Sequence, residues 1–194
     1  MHHTKKTKQR IVDTALKLFQ EKGYDKVSIK QICSEMGFGR STFYYHFRTK
    51  EQVLEELYHS DRVFTTETMS WILTAPSNLE RAFRIQLAYE RHIDSIESPE
   101  AIMHYLASGM TKGFSEMVIS TEKVNALLVP VIEQCQQSGE ITNPADPIRL
   151  CEIAIQLQCG ILMQYCFRNG QMDRQQALLD GLHALYLIKE ETKG

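Results

Sequence analysis

Residues 37–50 read Gly-Phe-Gly-Arg-Ser-Thr-Phe-Tyr-Tyr-His-Phe-Arg-Thr-Lys, and this stretch decides the fold. The two glycines predict a tight turn, and the residues after them predict a short helix. Phe43 and Phe47 lie on one side of that helix and can anchor it in a core. Side chains that donate hydrogen bonds lie on the other side, and they are Arg40, Ser41, Thr42, Tyr44, Tyr45 and His46. A helix with these two faces suits entry into the major groove of DNA.

Charge is divided unevenly along the chain. Residues 1–50 contain eleven Lys and Arg against four Asp and Glu, a balance of +7, while residues 51–194 contain eleven against twenty, a balance of −9. A basic first part favours contact with a polyanion, although a solvated basic surface without a partner is the alternative. An N-terminal arm would add salt-sensitive, nonspecific attraction to DNA. Its basic residues are Lys5, Lys6, Lys8 and Arg10.

The composition is that of an ordinary globular protein, with 43% hydrophobic and 24% charged residues among 194. The sequence has no run of about 18 apolar residues and no apolar leader with a cleavage site. We therefore expect a cytoplasmic protein without a membrane partner. The five cysteines are odd in number and lack CxxC spacing, which predicts neither a disulfide framework nor a zinc site. No cofactor and no metal are expected.

Helical periodicity predicts an all-α protein of about nine helices. Three short helices and an exit helix that continues to about Leu73 occupy the first third, and no segment alternates as a strand does. Further helices are predicted at about 78–96, 100–118, 121–138, 146–168 and 173–190.

The predicted helix ends follow from caps and breakers. Gly23 is a natural C-terminal stop, and Pro130 is expected to kink or divide the helix at 121–138. A proline at the first helical position strengthens the predicted start at 146. The predicted N-caps are Ser28, Thr49, Asp146 and Asp173.

The predicted helix at 146–168 is apolar on two sides. One continuous stripe consists of Ile148, Cys151, Ile155, Cys159, Leu162 and Cys166. Leu150, Leu157 and Ile161 lie roughly opposite this stripe. Because both sides need to be covered, we expect this helix and the helix at 173–190 to form a homodimer interface. The alternative is a central helix in a monomeric bundle.

The segment from about Arg10 to Leu54 resembles the DNA-binding domain of the TetR family of transcriptional repressors. In that family a first helix ends near Gly, a Thr/Ser and Ile/Val pair opens the second helix, and a glycine turn precedes a recognition helix ending in Tyr-x-His-Phe. Lys-Glu then starts the fourth helix. The matching residues are Ala15, Phe19, Gly23, Val27-Ser28-Ile29, Ile32, Gly37, Phe43-Tyr44-Tyr45-His46-Phe47, Lys50-Glu51 and Leu54. Three residues depart from the pattern: Gly39 replaces a side-chain cap, and Cys33 and Met36 replace small alanines.

The resemblance implies two domains and a set of phosphate contacts. A helix-turn-helix DNA-binding domain would occupy 1–50, and a helical ligand-binding and dimerisation domain would occupy 51–194. The residues implied to contact phosphate are Ser28, Tyr44, His46 and Lys50. Alternatively, two of these, Tyr44 and His46, are partly buried residues that close the three-helix core.

Reach along the helix separates residues that can contact bases. Arg40, at the N-terminus of the predicted helix, could donate two hydrogen bonds to the edge of a guanine. Ser41 and Thr42 can bond to phosphate or base edges. Tyr44 and Tyr45 can contact phosphate or a thymine methyl group. We therefore expect double-stranded DNA with a pseudo-palindromic operator as the partner of a homodimer.

The resemblance also implies a small-molecule effector that changes the spacing of the two recognition helices. Such an effector releases DNA only if it prefers the splayed state. Met and aromatic residues suit an adaptable, largely apolar pocket, although each could instead be ordinary core. The candidate lining residues are Trp71, Phe83, His92, Met103, Tyr105, Met110, Phe114, Gln156, Met163 and Tyr165.

Other functions remain open as alternatives. An architectural DNA-binding protein would use the same fold without an inducer. The cysteines of the stripe could sense redox state by pairing across a dimer, but buried cysteine is more often a small hydrophobic residue. The sequence lacks HExxH, GxSxG and GxGxxG patterns, so we do not expect an enzyme.

Overall fold

The computed structural model describes residues 2–57, 60–94, 99–112 and 115–188, and it describes side chains in 6–56, 62–94, 99–107 and 122–188. The helices of these ranges are, in chain order, α1 (His2–Lys22), α2 (Ile29–Met36), α3 (Arg40–His46), α4 (Glu51–Leu57), α5 (Ser60–Val63), α6 (Thr66–Leu73), α7 (Asn78–Asp94), α8 (Pro99–Lys112), α9 (Ser115–Ser138), α10 (Pro147–Phe167) and α11 (Arg174–Tyr186). No strand occurs among the described residues. The all-α prediction is confirmed, with eleven helices where about nine were expected.

The chain forms two compact units. The N-terminal unit combines Met1–Arg62 with Ser95–Phe114, and the second unit combines Val63–Asp94 with Ser115–Gly194. Helix α8 therefore belongs with the first helices of the chain, although it follows them by some forty residues. A functional division at residue 50 stays a prediction, because the compact units divide the chain elsewhere.

The core of the N-terminal unit is built by the apolar faces of short helices. α1 packs against α2 and α4, α2 packs against α3, and α4 packs against α8. The buried residues of these helices include Ile11, Ala15, Phe19, Ile32, Phe43, Val53, Leu54, Ala101 and Ile102. Phe47, at the end of α3, is buried too, so both predicted aromatic anchors of α3 lie in the core.

The second unit is a bundle in which α7 packs against α6, α9 and α11, and α10 packs against α9 and α11. Its buried residues include Ile85, Leu128, Ile132, Leu150, Leu178, Leu182 and Tyr186. α10 and α11 approach each other closely at Gly181, where an added Cβ would lie 2.5 Å from Cδ2 of Leu157.

The exit helix predicted to reach about Leu73 is interrupted, and this prediction is wrong. A new helix, α6, begins after Thr65, whose hydroxyl oxygen accepts a hydrogen bond from the Thr68 amide at 3.2 Å. Side-chain capping of this kind satisfies an amide at a helix start. The cap therefore favours a separate helix over continuation from α5.

One predicted feature of the next helices is also wrong, because α9 begins at Ser115 and no break separates 118 from 121. α9 continues through Pro130 without being divided there, and a kink at this proline stays a prediction. Pro130 is exposed, whereas Leu128, Val131 and Ile132 around it are buried. We infer that core packing on both sides of the proline offsets the hydrogen bond that it removes.

The predicted caps of the last two helices are confirmed. Asp146 Oδ1 accepts from the amides of Ile148 and Arg149 at 2.9 and 3.2 Å, with Pro147 at the helix start. Asp173 caps α11 through the Gln176 amide at 2.9 Å. α11 ends at Tyr186 rather than near 190, because Leu187 takes a left-handed conformation with φ 51°.

Helix α10 is, by length and composition, the one helix of the described ranges that could cross a membrane. A core helix of a soluble protein meets the same criterion. α10 buries Leu150, Cys151, Ala154 and Ile161 within the second unit, as a core helix does. It leaves 53% of Ile148 and 69% of Phe167 exposed at its two ends.

Candidate nucleic-acid interface

The turn between α2 and α3 is shaped by a glycine with a positive φ. Gly37 has φ 71° and ψ 28°, and its amide donates to the carbonyls of Cys33 and Ser34 at the end of α2. An L residue adopts this left-handed conformation only at a cost, which is why glycine commonly ends helices this way. The turn reverses the chain so that α3 packs across α2. These elements form a helix-turn-helix.

Helix α3 presents a buried face and an exposed face, as the sequence predicts. Phe43 is fully buried, while 51% of Tyr44 and 75% of Tyr45 are exposed. Arg40 and Ser41 are exposed and Thr42 is half-buried. The predicted base readers and both tyrosines therefore lie on one short helix whose polar face is accessible.

The start of α3 lacks a side-chain cap, as the glycine at position 39 predicts. Gly39 is the N-cap residue in an extended conformation, and no side chain bonds to the helix start. Its carbonyl accepts from the Thr42 amide at 3.1 Å. The first amides of α3 are left for solvent or a ligand, beside the exposed Arg40 guanidinium.

His46 ends α3 as a half-buried, neutral donor. Burial lowers the pKa of His46, and the nearby Lys8 charge lowers that pKa further. Its ring stands edge-on to Tyr45 with the centroids 5.0 Å apart. A group whose ordinary pKa of about 6.5 is lowered stays neutral at pH 7. The neutral form of His46 is therefore favoured, and in that form one ring nitrogen can donate a hydrogen bond.

Ser28 holds the start of α2 in a capping box. Its hydroxyl oxygen accepts from the Gln31 amide at 3.3 Å, and the Gln31 side chain accepts from the Ser28 amide at 2.7 Å. The predicted N-cap is confirmed. Ser28 is also exposed, so its hydroxyl is accessible. The hydroxyl oxygen already accepts a hydrogen bond at the start of α2.

Lys50 points into the N-terminal unit. Its Nζ donates to the carbonyls of Tyr24 and Val27 at 2.7 and 3.0 Å, and it lies 3.9 Å from the centre of the Tyr24 ring. Desolvation by burial lowers the pKa of Lys50, while the charges of Asp25, Glu51 and Glu100 oppose that effect. The phosphate contact implied by the family resemblance stays a prediction, and it would require these bonds to break.

Helix α8 contributes residues that the sequence reading did not place near the turn. His104 Nε2 lies 2.9 Å from Asp25 Oδ1, and its ring centroid is 4.4 Å from that of Tyr24. An added Cβ at Gly23 would lie 3.3 Å from Glu100 Oε2. Three consecutive residues after α1 thus meet α8. Spacing along the sequence gives no signal for a contact between residues eighty positions apart.

The candidate effector-lining residues are divided between the two compact units. Met103 and Tyr105 belong to α8 in the N-terminal unit, and Met103 is exposed. Phe114 and the Met110 side chain lie outside the described residues. The other six candidates belong to the second unit, and they are Trp71, Phe83, His92, Gln156, Met163 and Tyr165.

Among those six, the local surroundings differ. Phe83 is buried and stacks on His183 with the centroids 5.2 Å apart, as an ordinary core residue does. Trp71 is half-buried, with the Arg91 guanidinium 4.1 Å from its ring centre. Gln156 is exposed on α10, which does not suit a residue that lines an enclosed pocket. The lining set as a whole remains a prediction.

A buried polar network in the second unit was missed by the sequence reading. Glu90 on α7 is fully buried and accepts from Arg174 Nε at 2.9 Å and from Gln158 Nε2 at 3.0 Å. Burial raises the pKa of Glu90, against the opposing hydrogen bonds of Gln158 and Arg174. Arg174 also lies 4.1 Å from the centre of the Tyr165 ring. The network ties α7, α10 and α11 together through one carboxylate.

Two further buried polar side chains lie in this unit, and they are Gln86 and Tyr186. Burial raises the pKa of Tyr186, and a hydrogen bond with the Gln86 side chain opposes that effect. Gln86 lies one helical turn before Glu90 on α7. Polar residues at buried positions of an apolar helix face, here Gln86 and Glu90, are the signal that could have located this region from sequence.

Comparisons with known proteins agree with the helix-turn-helix of the N-terminal unit. The model of the family described as "Bacterial regulatory proteins, tetR family" matches residues 11–57. The uncharacterized HTH-type transcriptional regulator YuxN of Bacillus subtilis (strain 168) is 28% identical over 179 residues, which cover 87% of this chain and 60% of YuxN. This chain thus spans less than two thirds of the length of YuxN.

Two further matches cover most of both chains. The Transposon Tn10 TetC protein of Escherichia coli is 31% identical over 141 residues, which cover 68% of each protein. Among solved structures, Thermus thermophilus FadR, a transcriptional repressor in complex with lauroyl-CoA, matches with a TM-score of 0.65 and 15% identity. That match covers 96% of this chain and 98% of FadR. At this level of identity it supports the fold alone.

Proposed function

This chain belongs to the TetR family of bacterial regulatory proteins, and from that premise we propose that it is a homodimeric transcriptional repressor. It binds a pseudo-palindromic operator through α3 and is released by a small, largely apolar ligand. The family consists of DNA-binding regulators, so the chain is not an enzyme.

The observation that carries the proposal is the exposed face of α3. Arg40, Ser41, Tyr44 and Tyr45 are accessible on a seven-residue helix whose opposite side is anchored by Phe43. Docking in the major groove requires a helix that is packed in the protein core on one face and exposed on the opposite face. Arg40 is positioned for a guanine edge, whereas the tyrosine hydroxyls suit phosphates.

Dimerisation is supported by the outer side of α10. Ile148 and Phe167 are exposed at its ends, and Ile155 and Cys159 are half-buried between them. An apolar helix face of this length is ordinarily covered in a soluble protein. A second copy related by two-fold symmetry would cover it and would also pair two α3 helices for two half-sites.

Release of DNA on ligand binding is supported by a protein of the same fold and by residues of the second unit. FadR, which shares the fold, binds lauroyl-CoA. The second unit of this chain contains the half-buried Trp71, Met163 and Tyr165 together with the buried polar side chains of Gln86 and Tyr186. A largely apolar ligand with a polar end would match these residues. Its differential affinity for the splayed dimer would move the equilibrium away from DNA.

A redox-sensing function receives no support from the cysteines. Burial raises the pKa of all five thiols, and it does so to about 12 for Cys135 and Cys151. Reactive cysteines have a lowered pKa instead, because the thiolate is the nucleophile. The stripe cysteines thus act as small apolar residues.

Selection of duplex DNA from a randomised library tests operator recognition. The wild-type protein should enrich pseudo-palindromic sequences. Tyr44→Ala should weaken binding of the selected duplex about a hundredfold, because each of the two protomers loses one hydrogen bond to a charged phosphate. Because Tyr44 is half exposed, the melting temperature should stay near wild type.

The matched control is Leu73→Ala, an exposed apolar residue on α6 in the other unit. This variant should bind the selected duplex as the wild type does. Enrichment of no sequence by the wild-type protein, or unchanged affinity of Tyr44→Ala at moderate salt, would contradict the proposed docking of α3.

A further inference from the structure

The turn between α1 and α2 is enclosed by two helices that are distant in the sequence. We call Tyr24, Asp25, Lys50, Glu100 and His104 the Tyr24 junction. The Tyr24 ring is buried, and it also stands edge-on to Phe19 with the centroids 4.9 Å apart. All of these residues belong to the N-terminal unit.

Lys50 supplies one side of the Tyr24 junction from the residue before α4. Its ammonium has three N–H donors, and two of them are used on the carbonyls of Tyr24 and Val27. The third interaction is with the face of the Tyr24 ring, 3.9 Å from its centre. Moving Lys50 to a phosphate would break two charge-assisted hydrogen bonds and the ring contact.

Helix α8 supplies the other side. His104 contacts the Tyr24 ring and bonds to Asp25 at 2.9 Å. The carboxylates of Asp25, Glu51 and Glu100 together favour the charged form of the desolvated Lys50. The turn is therefore held both by α8 and by the residue before α4. Ser28, the N-cap of α2, comes directly after this turn.

We propose that Lys50 and His104 are positioning residues for DNA binding. They hold the α1–α2 turn, and through it α2 and α3, in the orientation that docks on the operator. Lys50 does this from inside the unit and makes no phosphate contact. This inference rests on the proposed operator binding.

The salt dependence of binding distinguishes positioning from phosphate contact. Each phosphate neutralised by a lysine contributes about 0.9 to the slope of log affinity against log salt. On the duplex selected by the wild-type protein, Lys50→Met should lower affinity about tenfold while the slope stays at the wild-type value. Because the substitution is present in both protomers, a slope reduced by about 1.8, which is about 0.9 for each lost phosphate contact, would overturn the inference.

The matched control is Lys17→Gln, which removes an exposed lysine of α1 that pairs only weakly with Glu21 at 3.8 Å. Both affinity and slope should stay close to wild type. Thermal melting of each variant fixes a temperature at which all are folded, and the slopes are compared there. A Lys50→Met protein that melts below that temperature is replaced by Lys50→Gln, which also removes the charge and should likewise lower affinity at the wild-type slope.

The role of α8 is tested by combining variants. His104→Ala should weaken binding of the same duplex at unchanged slope, and its effect should not add to that of Lys50→Met, because both act on one turn. His104→Phe keeps a ring against Tyr24 and should recover part of the affinity. Additive effects of His104→Ala and Lys50→Met would overturn the role of α8.

The failures of this inference and of the proposed function are distinguishable. A wild-type protein that selects no duplex overturns both. A wild-type protein that selects a duplex, together with a Lys50→Met slope lowered by one phosphate contact per protomer, overturns only the inference.

Discussion

At the scale of single residues, the helix-turn-helix depends on local chemistry that the sequence displays directly. Ser28 predicts a cap, and the structure shows it in a reciprocal box with Gln31. Gly39 predicts a start without a side-chain cap, which is also found. Both outcomes depend on atoms within three residues, so neighbours in the sequence determine them.

Gly37 offers a test of backbone conformation that is separate from packing. Its φ is 71°, and an added Cβ would meet nothing within 4 Å. Gly37→Ala should therefore lower the free energy of unfolding by about 1–2 kcal/mol through conformation alone. Urea unfolding followed by circular dichroism measures this change.

The control for that prediction is Gly39→Ser in the same turn. Gly39 has φ −75°, and an added Cβ would lie 3.7 Å from Ser41 Oγ, an ordinary contact. Serine should gain a cap and stabilise the protein by a few tenths of a kcal/mol. Equal effects of the two substitutions would show that the left-handed conformation at Gly37 does not matter.

Lys50 shows where local reasoning ends. The family resemblance places it at a phosphate, but its partners are the carbonyls of Tyr24 and Val27, more than twenty residues away. His104 is farther still from Tyr24. Contacts of this kind depend on how whole helices pack, and no periodicity in one segment encodes them.

At the scale of helices, apolar periodicity located most elements but not their breaks. The predicted starts of α10 and α11 were correct because Asp146 and Asp173 are capping residues next to apolar runs. The break before α6 was missed because Thr65 lies within a helical pattern. Pro130 does not divide α9, and we infer that packing of Leu128, Val131 and Ile132 offsets the hydrogen bond that the proline removes.

The close approach of α10 and α11 at Gly181 predicts that a larger residue there lowers the stability of the protein. An added Cβ at Gly181 would lie 2.5 Å from Cδ2 and 3.1 Å from Cδ1 of Leu157. Gly181→Ala should therefore displace Leu157 and lower the free energy of unfolding by about 1–3 kcal/mol. Urea unfolding measures the loss.

The companion variant is Leu157→Val with Gly181→Ala, which shortens the opposing side chain. It should recover part of the lost stability, because the clash lies at the end of the Leu157 side chain. A Gly181→Ala protein as stable as wild type would mean that α10 and α11 separate without cost.

At the scale of the whole molecule, the sequence predicted the class but not the division into units. Charge places a basic part first, and the described helices confirm an all-α protein. The sequence gives no sign that α8 belongs with α1 to α4, because amphipathic periodicity reports which face is buried and not against which partner. The buried Glu90–Arg174 pair was missed for the same reason.

Dimerisation is tested on the outer side of α10. Light scattering should give about twice the chain mass of 22.4 kDa at micromolar concentration. Ile155→Glu should shift the mass towards 22.4 kDa, since a buried unpaired carboxylate is costly at an apolar interface.

Leu73→Glu provides the matched control, because Leu73 is 64% exposed on α6 rather than on α10. It should leave the mass unchanged. A wild-type mass near that of one chain, or a dimer that tolerates Ile155→Glu, would contradict the proposed interface.

The interrupted N-terminal unit bears on how regulators of this kind can be recombined. A chimera that joins residues 1–62 to the sensor of another regulator would discard Ser95–Phe114, and with it the His104 partner of Asp25. The transplanted DNA-binding domain would keep every residue proposed to contact DNA, but it would lose the contacts with α8 that support the α1–α2 turn. Exchange of specificity by a single crossover is therefore expected to succeed only when the recipient supplies an equivalent of α8.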